Sequence, residues 1–153
     1  MAKPIIAYAW QPILTVSARY SDIFNEEKNT WERKEWEKRE ILIVGENDKI
    51  LGTLLPVHLL GAYGKGQGSQ PIGSLREYFQ KPVIAKASDI QKFVDALNTK
   101  KPNEYRSVFV LNPKFNNIET PTANMVHNEI TDVEAAKMME VFLFGDPPHL
   151  PTS

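Results

Sequence analysis

Two apolar runs joined by a short turn constrain this chain more than any other stretch. Residues 40–44 (EILIV) and 49–55 (KILGTLL) flank Gly45-Glu46-Asn47-Asp48, whose glycine and asparagine are turn formers. The spacing predicts a β-hairpin. Both arms are apolar at consecutive rather than alternating positions, the pattern of interior strands covered on both faces, so helices are expected to pack on the sheet they build.

The rest of the 153 residues reads as one domain over 1–145 followed by an extended, proline-bearing tail at 146–153. Eighteen basic against nineteen acidic side chains leave no long-range field of the kind that draws a protein to nucleic acid or an anionic membrane. The chain has no cysteine, which excludes disulfides, thiolate metal sites and cysteine nucleophiles. Residues 4–16 are apolar but broken by Gln11 and Pro12 and lack a small-residue cleavage site, so they are read as structure rather than as a signal peptide. No run approaches the roughly 20 apolar residues needed to span a bilayer, and a cytoplasmic protein without a membrane partner is expected.

In chain order, residues 5–9 and 13–18 read as two strands or one bent strand cornered at Pro12, and residues 21–30 as a polar turn region. Residues 26–40 interleave six acids and five bases around Trp31 and Trp36, which suits a surface helix capped by Thr30 or a long strand. Ser74-Leu75-Arg76-Glu77 matches a capping box opening a short helical turn, and residues 83–85 read as a short strand. A second box at Ser88 opens a helix with Ile90, Phe93, Val94 and Leu97 on one face. Residues 105–111 read as a strand, 114–128 as irregular, and a third box at Thr131 opens a helix striped by Ala135, Met138, Met139 and Phe142. No internal repeat is evident. The order predicts an α+β fold, with a mixed or mainly antiparallel sheet of about five to six strands and three helices packed on it.

Chemistry is sparse. Five of the eight glycines fall between positions 61 and 73, and Gly64, Lys65, Gly66, Gly68 and Ser69 could turn successive amides toward an anion. Neither GxxxxGK[ST] nor GxGxxG is matched, because Gly66 follows Lys65 and Pro71 stands at the third glycine position. Read without an anion, the same residues are a flexible surface loop. The hairpin turn at 45–52 followed by Tyr63-Gly64-Lys65-Gly66-Gln67-Gly68-Ser69 resembles the GNAT family of N-acetyltransferases. That resemblance implies acetyl coenzyme A as cofactor, its pyrophosphate on Gly64, Gly66, Gly68 and Ser69 with Lys65 assisting. Pro71 and Gly73 depart from the family pattern where its helix should begin.

The histidines at 58, 127 and 149 have no helical metal spacing, and no metal site or catalytic constellation emerges. His58 reads as a core or boundary histidine, and His127-Asn128-Glu129 lacks the cysteines a zinc deaminase would need. The leading expectation is therefore a small non-enzymatic interaction module, an inhibitor, immunity, regulatory or assembly subunit, without a cofactor. It would engage a protein partner or a second copy of itself through Trp31, Trp36, Met138 and Phe142. An acetyl coenzyme A-dependent acyltransferase on the 64–69 loop is the alternative. Single-stranded nucleic-acid binding through Trp31 and Trp36 is third, disfavoured because the interleaved glutamates cancel the basic groove it requires.

Overall fold

A computed structural model describes residues 3–27, 39–89 and 107–131. β1 (Ile5–Tyr8) turns into α1 (Ile13–Glu27). β2 (Ile41–Val44) and β3 (Ile50–Leu54) follow, then α2 (Pro56–Gly64) and a kinked 3-10 segment, Ile72–Tyr78. β4 (Val83–Ala85), β5 (Ser107–Leu111) and β6 (Val126–Thr131) complete the described strands. The α+β class and the expected hairpin are present. The six strands are divided between two three-stranded sheets, β1-β2-β3 and β4-β5-β6, rather than gathered into one.

The two sheets are the same object built twice. In each, the first strand runs parallel to the second and the second antiparallel to the third. Ile5, Ile6 and Ala7 pair with Ile41, Leu42 and Ile43 just as Val83, Ile84 and Ala85 pair with Val108, Phe109 and Val110. Leu42 opposite Thr53 matches Phe109 opposite Glu129, and the bulge at Ile43/Val44 recurs at Val110/Leu111. A sequence trace of this repeat does exist: Lys3-Pro4-Ile5-Ile6-Ala7 and Lys81-Pro82-Val83-Ile84-Ala85 differ at one position of five. The expectation of no internal repeat is thus corrected.

Alternation along the strands explains the layers. Ile41 and Ile43 join Ile5, Ile13, Val16, Leu54 and Leu59 in a core between the first sheet and the helices. The intervening Leu42 and Val44 turn the other way and meet Ile84, Phe109 and Leu111 of the second sheet. Both members of each equivalent pair, Ile6 and Ile84, Leu42 and Phe109, Val44 and Leu111, Ile50 and Val126, belong to this one cluster. The apolar arm 41–44 is therefore buried on both faces, as its composition predicts. Full burial of each such side chain contributes roughly 1.5–3 kcal/mol, which makes this inter-sheet layer the main adhesive between the halves.

Three local expectations change. Residues 13–18 are helical, because Ile13, Val16, Ser17 and Tyr20 fall at i, i+3, i+4 and i+7 and are all buried, a stripe that overrides the β-branched composition. The helix continues through 21–27, where a polar turn was expected. Residues 126–128 open β6 rather than continuing an irregular segment, although 3-10 turns at Pro113–Phe115 and Ala123–Met125 occupy much of the preceding stretch. Ser88 falls in a 3-10 turn, Ala87–Asp89, and Thr131 ends β6, while the remainder of the helices expected from them and most of the charged 26–40 stretch lie outside the described residues.

Candidate functional site

The glycine-rich loop is the C-terminal cap of α2. The Gly66 N–H donates to the Tyr63 carbonyl and the Gln67 N–H to the Ala62 carbonyl, each at 3.1 Å, while Gly66 adopts φ +79°. This is a Schellman arrangement, in which the left-handed residue after a helix lets its last carbonyls be satisfied. The Lys65 N–H is likewise spent on the Gly61 and Ala62 carbonyls. Gly64 is the last residue of the helix, and Gly68 and Ser69 follow the cap, with the Gly68 carbonyl accepting from the Leu14 N–H. The amides of Lys65, Gly66 and Gln67 thus do not converge on open space. The loop also sits at the helix end where carbonyls, not N–H groups, face outward, so its field disfavours an anion. The expected cradle fails at these three amides. The expected capping box fails too, because Ser74 lies inside the 3-10 segment, whose N-cap is Pro71.

Beside this cap a cavity of about 240 Å³ is lined by His58, Lys65, Gln67, Gln70, Glu77 and Tyr78, among others. His58 stacks on Tyr78 with ring centroids 4.4 Å apart and planes 15° from parallel, which identifies it as a packed boundary histidine. His127 is exposed on β6. Among the described residues no cluster of histidine and carboxylate side chains could hold a metal ion.

The outer surface of the helix pair is the more distinctive feature. Pro56 opens α2 at a position where its missing N–H costs nothing. The helix then buries Leu59 and Ala62 and turns Val57, Leu60, Gly61 and Gly64 to the outside. Val57 is 63% exposed, and a Cβ built on Gly61 or Gly64 would meet nothing within 4 Å. On α1, Leu14, Ala18, Ser21 and Asn25 form an exposed stripe at i, i+4, i+7 and i+11. Leu14 is 51% exposed, and a Cβ built on Gly68 would lie 3.3 Å from Leu14 Cβ and 3.6 Å from the Tyr63 ring, so Gly68 sits between the two helices. The two stripes therefore meet along packed helices, and neither contains a charged residue, in a chain where 24% of residues are charged. Leu14, Val57, Leu60 and Tyr63 are the exposed large apolar side chains of this face, with Arg19, Asp22 and Glu26 flanking it on α1.

A polar junction sits between the sheets. Arg39 Nε donates to Glu129 Oε2 at 3.0 Å, and Arg39 Nη2 to the Lys3 carbonyl at 2.8 Å. The Glu40 N–H donates to Ser107 Oγ at 2.9 Å while the Ser107 N–H returns a bond to Glu40 Oε2 at 2.7 Å, and the Thr53 hydroxyl donates to Glu40 Oε1. Glu40 and Ser107 hold equivalent places in the two halves, so their reciprocal contact is what a two-fold relation between the halves produces. Arg39, Glu40, Thr53, Ser107 and Glu129 are all buried. Burial pushes the Glu129 carboxyl up to about 7, aided by the Glu40 charge and opposed by Arg39 and Ser107. Nothing in the sequence singles out this cluster except Glu129 on the inward face of an otherwise β-patterned run. Trp31, Trp36, Met138 and Phe142, the expected partner contacts, lie outside the described residues.

No family model matches the chain. No curated protein matches it either. Among solved structures, OpuCA of Staphylococcus aureus aligns at 15% identity and a TM-score of 0.44, covering 94% of this chain and 97% of that one. A putative acetoin utilization protein, AcuB, from Vibrio cholerae aligns at 12% and 0.43, covering 90% and 84%. The CBS domains of a transcriptional regulator from Streptococcus pneumoniae align at 9% and 0.39, covering 87% and 86%. At such identities, and with TM-scores below 0.5, these likenesses carry no argument about what the chain does.

Proposed function

We propose that this protein is a non-enzymatic regulatory or assembly module that works by pairing with a second copy of itself through the outer face of α1 and α2. The charge-free double stripe of Leu14, Ala18 and Ser21 beside Val57, Leu60 and Gly64 carries the reading. A stripe without charge of its own, rimmed on α1 by Arg19, Asp22 and Glu26, sets no like charges against each other along its centre and is compatible with its own copy, as an isologous contact requires. Open backbone at Gly61 and Gly64 lets an opposing helix approach closely. Schellman capping holds the end of α2 fixed, so little ordering opposes the association.

Sedimentation and light scattering across micromolar concentrations test this. The native chain is expected as a dimer and Leu60→Glu as a monomer with unchanged thermal stability, since Leu60 is already exposed. A native monomer at all concentrations, or a Leu60→Glu variant that still dimerises, overturns the reading. Added mass only in the presence of a different protein would transfer the same face to a foreign partner and overturn self-pairing.

A further inference from the structure

The polar junction between the halves contains more acid than its packing requires. Among the described residues the charged groups facing Glu129 are Arg39 and Glu40, both just before or at the start of β2. The other neighbours do not titrate: β5 supplies Ser107, β3 supplies Thr53 next to Glu40, and the lead into β1 supplies the Lys3 carbonyl bonded to Arg39. The two carboxylates are treated differently. Glu40 accepts at both oxygens, from the Thr53 hydroxyl and the Ser107 N–H. Glu129 accepts from Arg39 at Oε2 and has the Ser107 hydroxyl close enough to favour its charge, but its buried Oε1 makes no hydrogen bond of good geometry.

An ionised carboxylate with one oxygen neither solvated nor bonded is costly to bury. Two carboxylates brought together at one site also resist ionising together, and the less satisfied one takes the proton. That one is Glu129, on the second half, while its counterpart Arg39 and the neighbouring acid Glu40 belong to the first. The protonation state of a single side chain therefore bears on the contact by which the halves hold each other.

We propose that this junction is a proton-operated latch between the two halves, tight when Glu129 carries a proton from solvent and loosened when that proton is lost. The raised pKa, about 7 against an ordinary 4.5, places the change near neutrality. The sign follows from linkage. The folded form holds the proton up to about 7 and the unfolded chain releases it near 4.5, so the folded form binds more protons between them and stability falls as pH rises through that interval. Above about 7 both forms are ionised and the loss is complete.

Two measurements on the full chain test the latch. Carbon NMR of the Glu129 side-chain carboxyl, assigned by comparison with Glu129→Gln, should titrate with a midpoint near 7. Urea midpoints of the native chain should fall between about pH 5 and 8, while those of Glu129→Gln, which keeps the shape without the charge, should change far less. The difference should amount to at least roughly a tenfold change in the folding equilibrium across the interval. Parallel pH profiles for the two proteins, or a carboxyl midpoint near 4.5, would overturn the latch. Should Glu129→Gln not fold, the carboxyls can be assigned by triple-resonance methods in the native chain, and the titration midpoint alone then supports or overturns it.

Discussion

The two halves of the molecule share every strand pairing, yet they hold their buried polar groups the other way round. The first half has a carboxylate at Glu40, leading into its central strand, and a hydroxyl at Thr53 on its third. In the second, the hydroxyl is Ser107 on the central strand and the carboxylate is Glu129 on the third. The exchange has an energetic consequence. Glu40 lies where a backbone N–H from the other half and a hydroxyl from its own can both reach it, whereas Glu129 depends on Arg39 and keeps one oxygen unbonded. A repeated backbone thus sets where polar groups can stand, and the side-chain choice at two equivalent pairs of positions decides which acid is comfortable.

Breaking the uncomfortable side should have the largest effect. Arg39→Ala removes the guanidinium from a buried ion pair and should cost about 3–5 kcal/mol at pH 8 by urea denaturation, as such truncations do. At pH 5 the loss should be smaller, because the carboxyl left behind is then neutral. On the comfortable side, Thr53→Val removes one donor from Glu40 while keeping shape, and about 1–3 kcal/mol should be lost, the cost of a buried acceptor left short. An equal loss for the two variants at pH 8 would erase the asymmetry. A still smaller effect, about 1 kcal/mol, is expected for Gly66→Ala in the cap of α2, where a Cβ meets no neighbour and only the left-handed backbone resists it. That change lies away from the junction and should leave its pH dependence untouched.

These contrasts also explain what could be read from the residues alone. The 40–55 hairpin was legible because its turn formers separate two runs whose apolar density leaves no other use for them. The helix at 13–27 was obscured by a β-branched start, Ile13 to Val16, even though its buried spacing is visible once Ser17 is accepted as inward-facing. β6 lacks the strand signature because Glu129 occupies a buried position where strand patterning calls for an apolar side chain. The repeat survives as strand register, with one matching pentapeptide, since pairing geometry constrains size and facing far more than identity. The glycine cluster misled in the opposite direction. Its spacing fits an anion loop, but its place after the apolar run 57–63 fits a helix cap, and the cap is what formed. The candidate helix face could not be read at all, because Leu60 and Leu59 differ only in which way the turn of α2 points them.

The contact of Glu40 with Ser107 bears, finally, on which chains can exchange parts. Where two like units meet across a two-fold axis, each residue on the axis meets its own equivalent. If the first halves of two molecules docked on each other in place of their own second halves, Glu40 would face Glu40 in a buried layer, with no serine to take its oxygen. Two second halves would set Ser107 against Ser107 and leave the bonds made by the carboxylate unfilled. The mismatch of acid and hydroxyl at one equivalent pair therefore lets a half recognise the other kind of half and reject its own, a safeguard against wrong pairings that a perfectly duplicated chain would lack.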